Sequence, residues 1–126
     1  MKYIIDTHIL LWFLDEPEKL PENVLRILKY ESDVAVSIAS LWEIGIKQRL
    51  HKIEWEYTST EMALLCEELH FKIIPISPVY IDRILEMPLI HKDPFDRMII
   101  AQAQTENLTI ITHDSMIPLY DVNILK

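Results

Sequence analysis

The sequence predicts an α/β fold, with helices packed on a mostly parallel central sheet of about five strands. Short β-branched runs alternate with longer segments of helical period, the pattern of strand–helix–strand units whose strands run parallel. The first, second and fourth of these runs are almost continuously apolar, as strands buried on both faces must be. Prolines fall at the joins (Pro17, Pro21, Pro75, Pro78 and Pro88), where a residue without a backbone donor does least harm.

Tyr3-Ile4-Ile5 is the first strand and Val34-Ala35-Val36 the second. Ile38, Leu41, Trp42 and Ile46 then recur at helical spacing, and that stripe is expected to face the core. Met62, Leu65, Cys66 and Leu69 form a further core-facing stripe, followed by the strand Lys72-Ile73-Ile74. Ile81, Ile84 and Leu85 give a shorter stripe, and the segment after Pro94 gives another that leads into the strand Thr109-Ile110-Ile111. Val122-Asn123-Ile124 is the last strand. Trp12, Trp42 and Trp55 are candidates for the core, with a protein interface as the alternative for one or more of them.

With 126 residues, 50% of them hydrophobic and 25% charged, the chain is expected to fold as one soluble globular domain over residues 1–126. Its single glycine, Gly45, rules out both glycine-rich phosphate cradles, G-x-G-x-x-G and G-x-x-x-x-G-K-[ST]. The single cysteine, Cys66, allows neither an internal disulfide nor a Cys-rich zinc site, and a cytoplasmic location is expected. The apolar stretch Tyr3 to Leu14 is interrupted by Asp6-Thr7-His8 and is too short to span a bilayer, so no membrane association is expected. A formal charge of −8 argues against a general nucleic-acid coat, whose affinity comes from many Lys and Arg contacts to phosphate. It leaves open an enzyme that reaches phosphates through metal ions.

In an open α/β sheet, ligands bind beyond the carboxyl ends of the strands. The residues there are acidic or hydroxylic: Asp6-Thr7 after the first strand, Ser37 and then Glu43 after the second, and Thr112-His113-Asp114 after the fourth. Asp93 and Asp96 open the helix leading into that fourth strand. Right-handed crossovers gather such positions at one edge of the sheet. Two carboxylates about 5 Å apart repel by about 3 kcal/mol at an effective dielectric of about 20. Protonation or a divalent cation must offset that repulsion. Oxygen donors without a spaced His pair or nearby Cys suit Mg²⁺ or Mn²⁺ better than zinc, and the chemistry that follows is metal-dependent phosphodiester hydrolysis.

Ordinary structural roles stand beside this one. Asp93 before Pro94 fits an N-cap, with Asp96 in the first helical turn. Glu43 and Lys47 are spaced for a helical ion pair, and Asp114 can cap the turn Ser115-Met116-Ile117. Asp6 is harder to explain this way, because a charge ending a buried strand is seldom left unpaired. His8 and His113 flank the acids without any zinc-type spacing, and Cys66 on its apolar stripe reads as an inert core thiol.

Four segments, in this order, resemble the PIN-domain ribonucleases, and in particular the VapC-like toxins of type II toxin–antitoxin pairs. They are Ile5-Asp6-Thr7-His8-Ile9-Leu10-Leu11-Trp12, Ser40-Leu41-Trp42-Glu43-Ile44, His91-Lys92-Asp93-Pro94-Phe95-Asp96-Arg97 with Ile100-Ala101-Gln102-Ala103 behind it, and Thr112-His113-Asp114. The resemblance spans nearly the whole chain. It implies a PIN-like three-layer α/β/α sandwich and a Mg²⁺ or Mn²⁺ site built by Asp6, Glu43, Asp96 and Asp114. Asp93 would be a supporting acid, and Thr112 would hold the site's geometry through its hydroxyl. Asp93 and Asp96 share one turn, and the position of Asp96 just before Met98-Ile99-Ile100-Ala101 favours it as the acid facing the metal. The resemblance also implies an RNA substrate, a homodimer and a cognate antitoxin partner. His8 stands where many PIN domains look to carry Ser or Asn, a departure that leaves the acids intact.

Lys47, Arg49, Lys52, Lys92 and Arg97 lie close to the acids in sequence and are candidates for a positive rim that grips RNA. A catalytically silent PIN-like domain that binds protein is the alternative. A receiver-type phosphoacceptor domain is disfavoured, because Pro75-Ile76-Ser77 rather than Asp follow the third strand.

Overall fold

The computed structural model describes residues 2–31 and 33–126. Strands β1 (Tyr3–Ile5), β2 (Val34–Ser37), β3 (Lys72–Ile74), β4 (Thr109–Ile111) and β5 (Asn123–Leu125) form one sheet in the order β3-β2-β1-β4-β5. Every neighbouring pair is parallel, with Ile4 opposite Ala35 on one side and Ile110 on the other. The continuously apolar β1, β2 and β4 occupy the middle of the sheet, as their composition predicts.

The helices are α1 (Thr7–Asp15), α2 (Glu22–Tyr30), α3 (Ile38–Arg49), α4 (Ser59–Glu68), α5 (Pro78–Glu86) and α6 (Pro94–Glu106). Alternation along the strands divides the core in two. Ile4, Ala35, Ile74 and Ile110 pack with Tyr80 of α5 and with Met98, Ile99, Ala101 and Ala103 of α6. Ile5, Val36 and Ile111 point the other way, against Ile9 and Leu10 of α1, Val24 and Leu28 of α2, Leu41 and Ile44 of α3, and Met62 and Cys66 of α4. The result is the α/β/α sandwich. Each buried isoleucine contributes about 1.5–3 kcal/mol relative to an exposed one, so these two seams hold the three layers together. Burial pushes the Cys66 thiol up to about 11, which keeps it unreactive in the core.

Several expectations need correction. The α3 stripe faces the core only at Leu41: Ile38, Trp42 and Ile46 are exposed, Trp42 by 60%, and the buried face carries Ala39, Ser40, Leu41, Glu43 and Ile44. On α5, Ile81 and Leu85 are likewise exposed and Tyr80 is the buried residue. Trp42 is therefore not a core residue, while Trp12 and Trp55 are partly buried. The sequence reading also passed over α1 and α2. The last strand begins one residue later than expected, because the Val122 N–H donates to the Tyr120 carbonyl in a tight turn. Among the described residues, no helix is long and apolar enough to cross a membrane.

Candidate metal centre

The chain runs from β1 outward to β2 and β3, and then returns through α5 and α6 to place β4 on the opposite side of β1. The connections therefore diverge between β1 and β4. At such a switch point the loops leaving the strand ends open a crevice. Asp6 leaves β1 there, and Thr112 and Asp114 leave β4.

Asp6 is 3% exposed and is the N-cap of α1, with Oδ1 accepting from the Ile9 N–H at 2.9 Å. Its Oδ2 accepts a short hydrogen bond from the Thr112 hydroxyl. The same hydroxyl oxygen accepts from the Asp114 N–H at 2.9 Å, so Thr112 ties the ends of β1 and β4 to each other. Asp114 spends Oδ1 on the N–H groups of Met116 (2.7 Å) and Ile117 (3.1 Å), capping the following turn.

Asp93 is the N-cap of α6, its Oδ1 accepting from the Phe95 and Asp96 N–H groups, with Pro94 at the first helical position. That cap sets Asp96 in the first turn, facing the others. The His91 Nε2 lies 2.8 Å from Asp96 Oδ2 and 3.5 Å from Asp114 Oδ2, so this imidazole bridges the two acids. The candidate ligand atoms of His91, Asp96 and Asp114 all fall within 4.8 Å of one another.

Glu43, on α3, and Asp6 are not among those three residues. One turn before Glu43, Ser40 accepts a 3.0 Å hydrogen bond from Thr7, the residue after Asp6, and the adjacent Trp42 packs edge-on against Phe95, the residue before Asp96. Glu43 Oε2 is 3.4 Å from Lys47 Nζ, and the buried Oε1 has no hydrogen-bond partner.

The capping and ion-pair roles foreseen for Asp93, Asp114 and Glu43 are thus all realised. They do not exhaust the carboxylates, since each oxygen offers two acceptor sites. Electrostatics shows the cost of assembling them. Burial pushes the Asp96 carboxyl up to about 7, reinforced by the charges of Asp93 and Asp6 and opposed by the His91 hydrogen bond. Burial also raises Asp6, against the lowering effect of Thr112 and the Ile9 N–H. A group of hard oxygen donors short of positive charge, with one buried oxygen left unpartnered at Glu43, fits a divalent cation.

The basic candidates are dispersed. Lys47 is engaged by Glu43, and Arg97 Nη2 donates to the Ile84 carbonyl at 3.1 Å, joining α6 to α5. Arg49, Lys52 and Lys92 are exposed. His8 and His113 flank the acids as expected and pack edge-on against Trp12. The residue the sequence reading missed is His91. Its only signal there is its place two positions before Asp93.

A parallel α/β/α sandwich with acids gathered at its switch point defines the class of this protein. The PIN domain model matches residues 3–123, and the chain belongs to that family. It is similar in fold to VapBC2 from Rickettsia felis bound to a promoter DNA fragment, at 18% identity and a TM-score of 0.73, over 99% of this chain and 98% of that one. FitAcB from Neisseria gonorrhoeae matches at 17% identity and a TM-score of 0.70, over 98% and 96% of the two chains. A toxin–antitoxin complex from Klebsiella pneumoniae matches at 21% identity and a TM-score of 0.68, over 99% and 97%. No curated protein matches the sequence.

Proposed function

We propose that residues 1–126 act as a metal-dependent endoribonuclease, the VapC-like toxin of a type II toxin–antitoxin pair. The observation that carries this reading is the convergence of Asp96 and Asp114, from separate stretches of chain, on the His91 imidazole, with candidate ligand atoms of all three residues within 4.8 Å of one another. PIN domains are generally nucleases dependent on divalent metal, and membership of that family supports the same chemistry.

Asp6, Glu43, Asp96 and Asp114 would hold Mg²⁺ or Mn²⁺. When bound, the ion supplies Lewis acidity toward the scissile phosphate and charge neutralisation for the acids. Thr112 and the Ile9 N–H keep the Asp6 carboxylate in one orientation, and the Asp93 cap sets the first turn of α6 so that Asp96 faces inward. Arg49, Lys52 and Lys92 are exposed and would meet RNA phosphates, whereas Lys47 and Arg97 must first give up their present partners. Cytoplasm is the proposed location.

The uncovered apolar side chains of α3 (Ile38, Trp42, Ile46) and α5 (Val79, Ile81, Leu85) support protein partners, a second copy of this chain and a cognate antitoxin. A toxin–antitoxin complex among the similar folds supports the same assignment.

Incubating the purified protein with several RNA classes tests the proposal. Cleavage that stops with chelator and returns with added Mn²⁺ is expected. Intact RNA in every condition, together with no saturable Mn²⁺ binding, would instead favour a silent protein-binding domain.

A further inference from the structure

We propose that His91 is itself a ligand of the divalent ion, and that its nitrogen biases the site toward Mn²⁺ over Mg²⁺. This rests on the metal-dependent reading above and deepens it. The imidazole is placed by a built device. The Tyr120 hydroxyl accepts from the Ile90 N–H at 3.1 Å and from the His91 N–H at 2.8 Å, and Tyr120 is only 5% exposed. This buried clamp fixes the backbone of the loop between α5 and α6 just where the His91 side chain departs. The ring then reaches both Asp96 and Asp114 with the same nitrogen.

The spacing suits shared coordination. Around an ion with donors at about 2.2 Å, adjacent donors sit about 3.1 Å apart and opposite ones about 4.4 Å apart. The Nε2 distances of 2.8 and 3.5 Å to the two carboxylate oxygens bracket the adjacent value. Imidazole in an otherwise oxygen-only set matters chemically. Magnesium favours oxygen donors and gains little from nitrogen, whereas affinity for nitrogen rises from manganese along the first-row divalent series.

The full-length protein, freed of metal, is titrated with Mn²⁺ and followed by electron paramagnetic resonance, with Mg²⁺ as competitor. Nitrogen coupling to bound Mn²⁺ is read by spin-echo modulation. Wild type is expected to show that coupling. His91→Ala should lose it, together with about tenfold of the Mn²⁺-over-Mg²⁺ preference, while Mg²⁺ affinity changes by less than about twofold. His91→Gln keeps an N–H for Asp96 and most of the side-chain volume, and it should lose the coupling equally. It therefore serves if the alanine variant does not fold. Saturable Mn²⁺ binding without nitrogen coupling, or coupling and preference retained in both variants, would overturn the role of His91 and leave the metal-dependent reading intact. No saturable Mn²⁺ binding in wild type would overturn both.

Discussion

The two halves of the acidic cluster are built differently. At the β1–β4 side, Asp6 is almost completely buried, with one oxygen on the Ile9 N–H and the other on the Thr112 hydroxyl. On the other side, Asp96 of α6 and Asp114 beyond β4 are partly open to solvent and share a single imidazole. The first half is held by a backbone N–H and a buried hydroxyl. In the second, Asp114 Oδ1 caps the following turn, while the Oδ2 atoms of Asp96 and Asp114 meet only at His91, whose place between them a cation can take or share. The contrast separates scaffold from exchangeable site: the fold spends its hydrogen bonds orienting Asp6 and leaves its unbalanced charge at Asp96.

If both halves serve one cation, removing a charge from either should stop the reaction. Asp6→Asn and Asp114→Asn are each expected to reduce RNA cleavage by about a hundredfold or more, with a cooperative unfolding transition retained. Full activity in one variant would take that acid out of the mechanism.

Stability should distinguish the halves where activity does not. Thr112→Val keeps the shape but removes the donor to Asp6 and the acceptor for the Asp114 N–H, and it should cost about 1–3 kcal/mol in denaturant unfolding. His91→Ala, in the open half, should cost less than Thr112→Val. The reverse order would break the distinction.

The pH dependence sharpens it. Both Asp6 and Asp96 bind a proton more readily folded than unfolded. The stability they confer on the metal-free protein is therefore fully present below pH ~4, the ordinary carboxyl value, and is lost as pH rises to about 7, where Asp96 ionises. The loss should be on the order of 2 kcal/mol, well below the unscreened value because the open side of the cluster is solvated. Mn²⁺ should abolish that decline, because the ion favours the ionised carboxylates. Thermal unfolding across pH with and without the ion checks this, and the same profile in both would count against a cation at the acids.

The smallest effect belongs to the rim. Lys92→Ala should weaken RNA binding and flatten the dependence of log affinity on log salt by about 0.7, the value for one single-strand phosphate contact. An unchanged slope would remove Lys92 from the rim.

Much of this was legible in the sequence, for identifiable reasons. Strands buried on both faces show as apolar runs, and α4 and α6 show as stripes because one side of each meets the sheet. In α1 the run Ile9 to Leu14 is apolar on every side and displays no period, so it passes as undifferentiated hydrophobic chain. The Val24, Leu25 and Leu28 stripe of α2 is a helical signal that meets the core. On α3 and α5, periodicity reveals an oily face without saying whether this chain covers it. Ile38, Trp42, Ile46, Ile81 and Leu85 stay outside. The acids at strand ends were visible because topology alone carries them to one edge. His91 was not, because its approach to Asp114 depends on how the loop clamped by Tyr120 folds back.

The most direct test is anomalous diffraction from crystals of the metal-free protein soaked in Mn²⁺. A manganese peak is expected about 2.2 Å from carboxylate oxygens contributed by both halves, Asp6 on one side and Asp96 and Asp114 on the other. Manganese bound only elsewhere on the surface, with these carboxylates untouched, would contradict it.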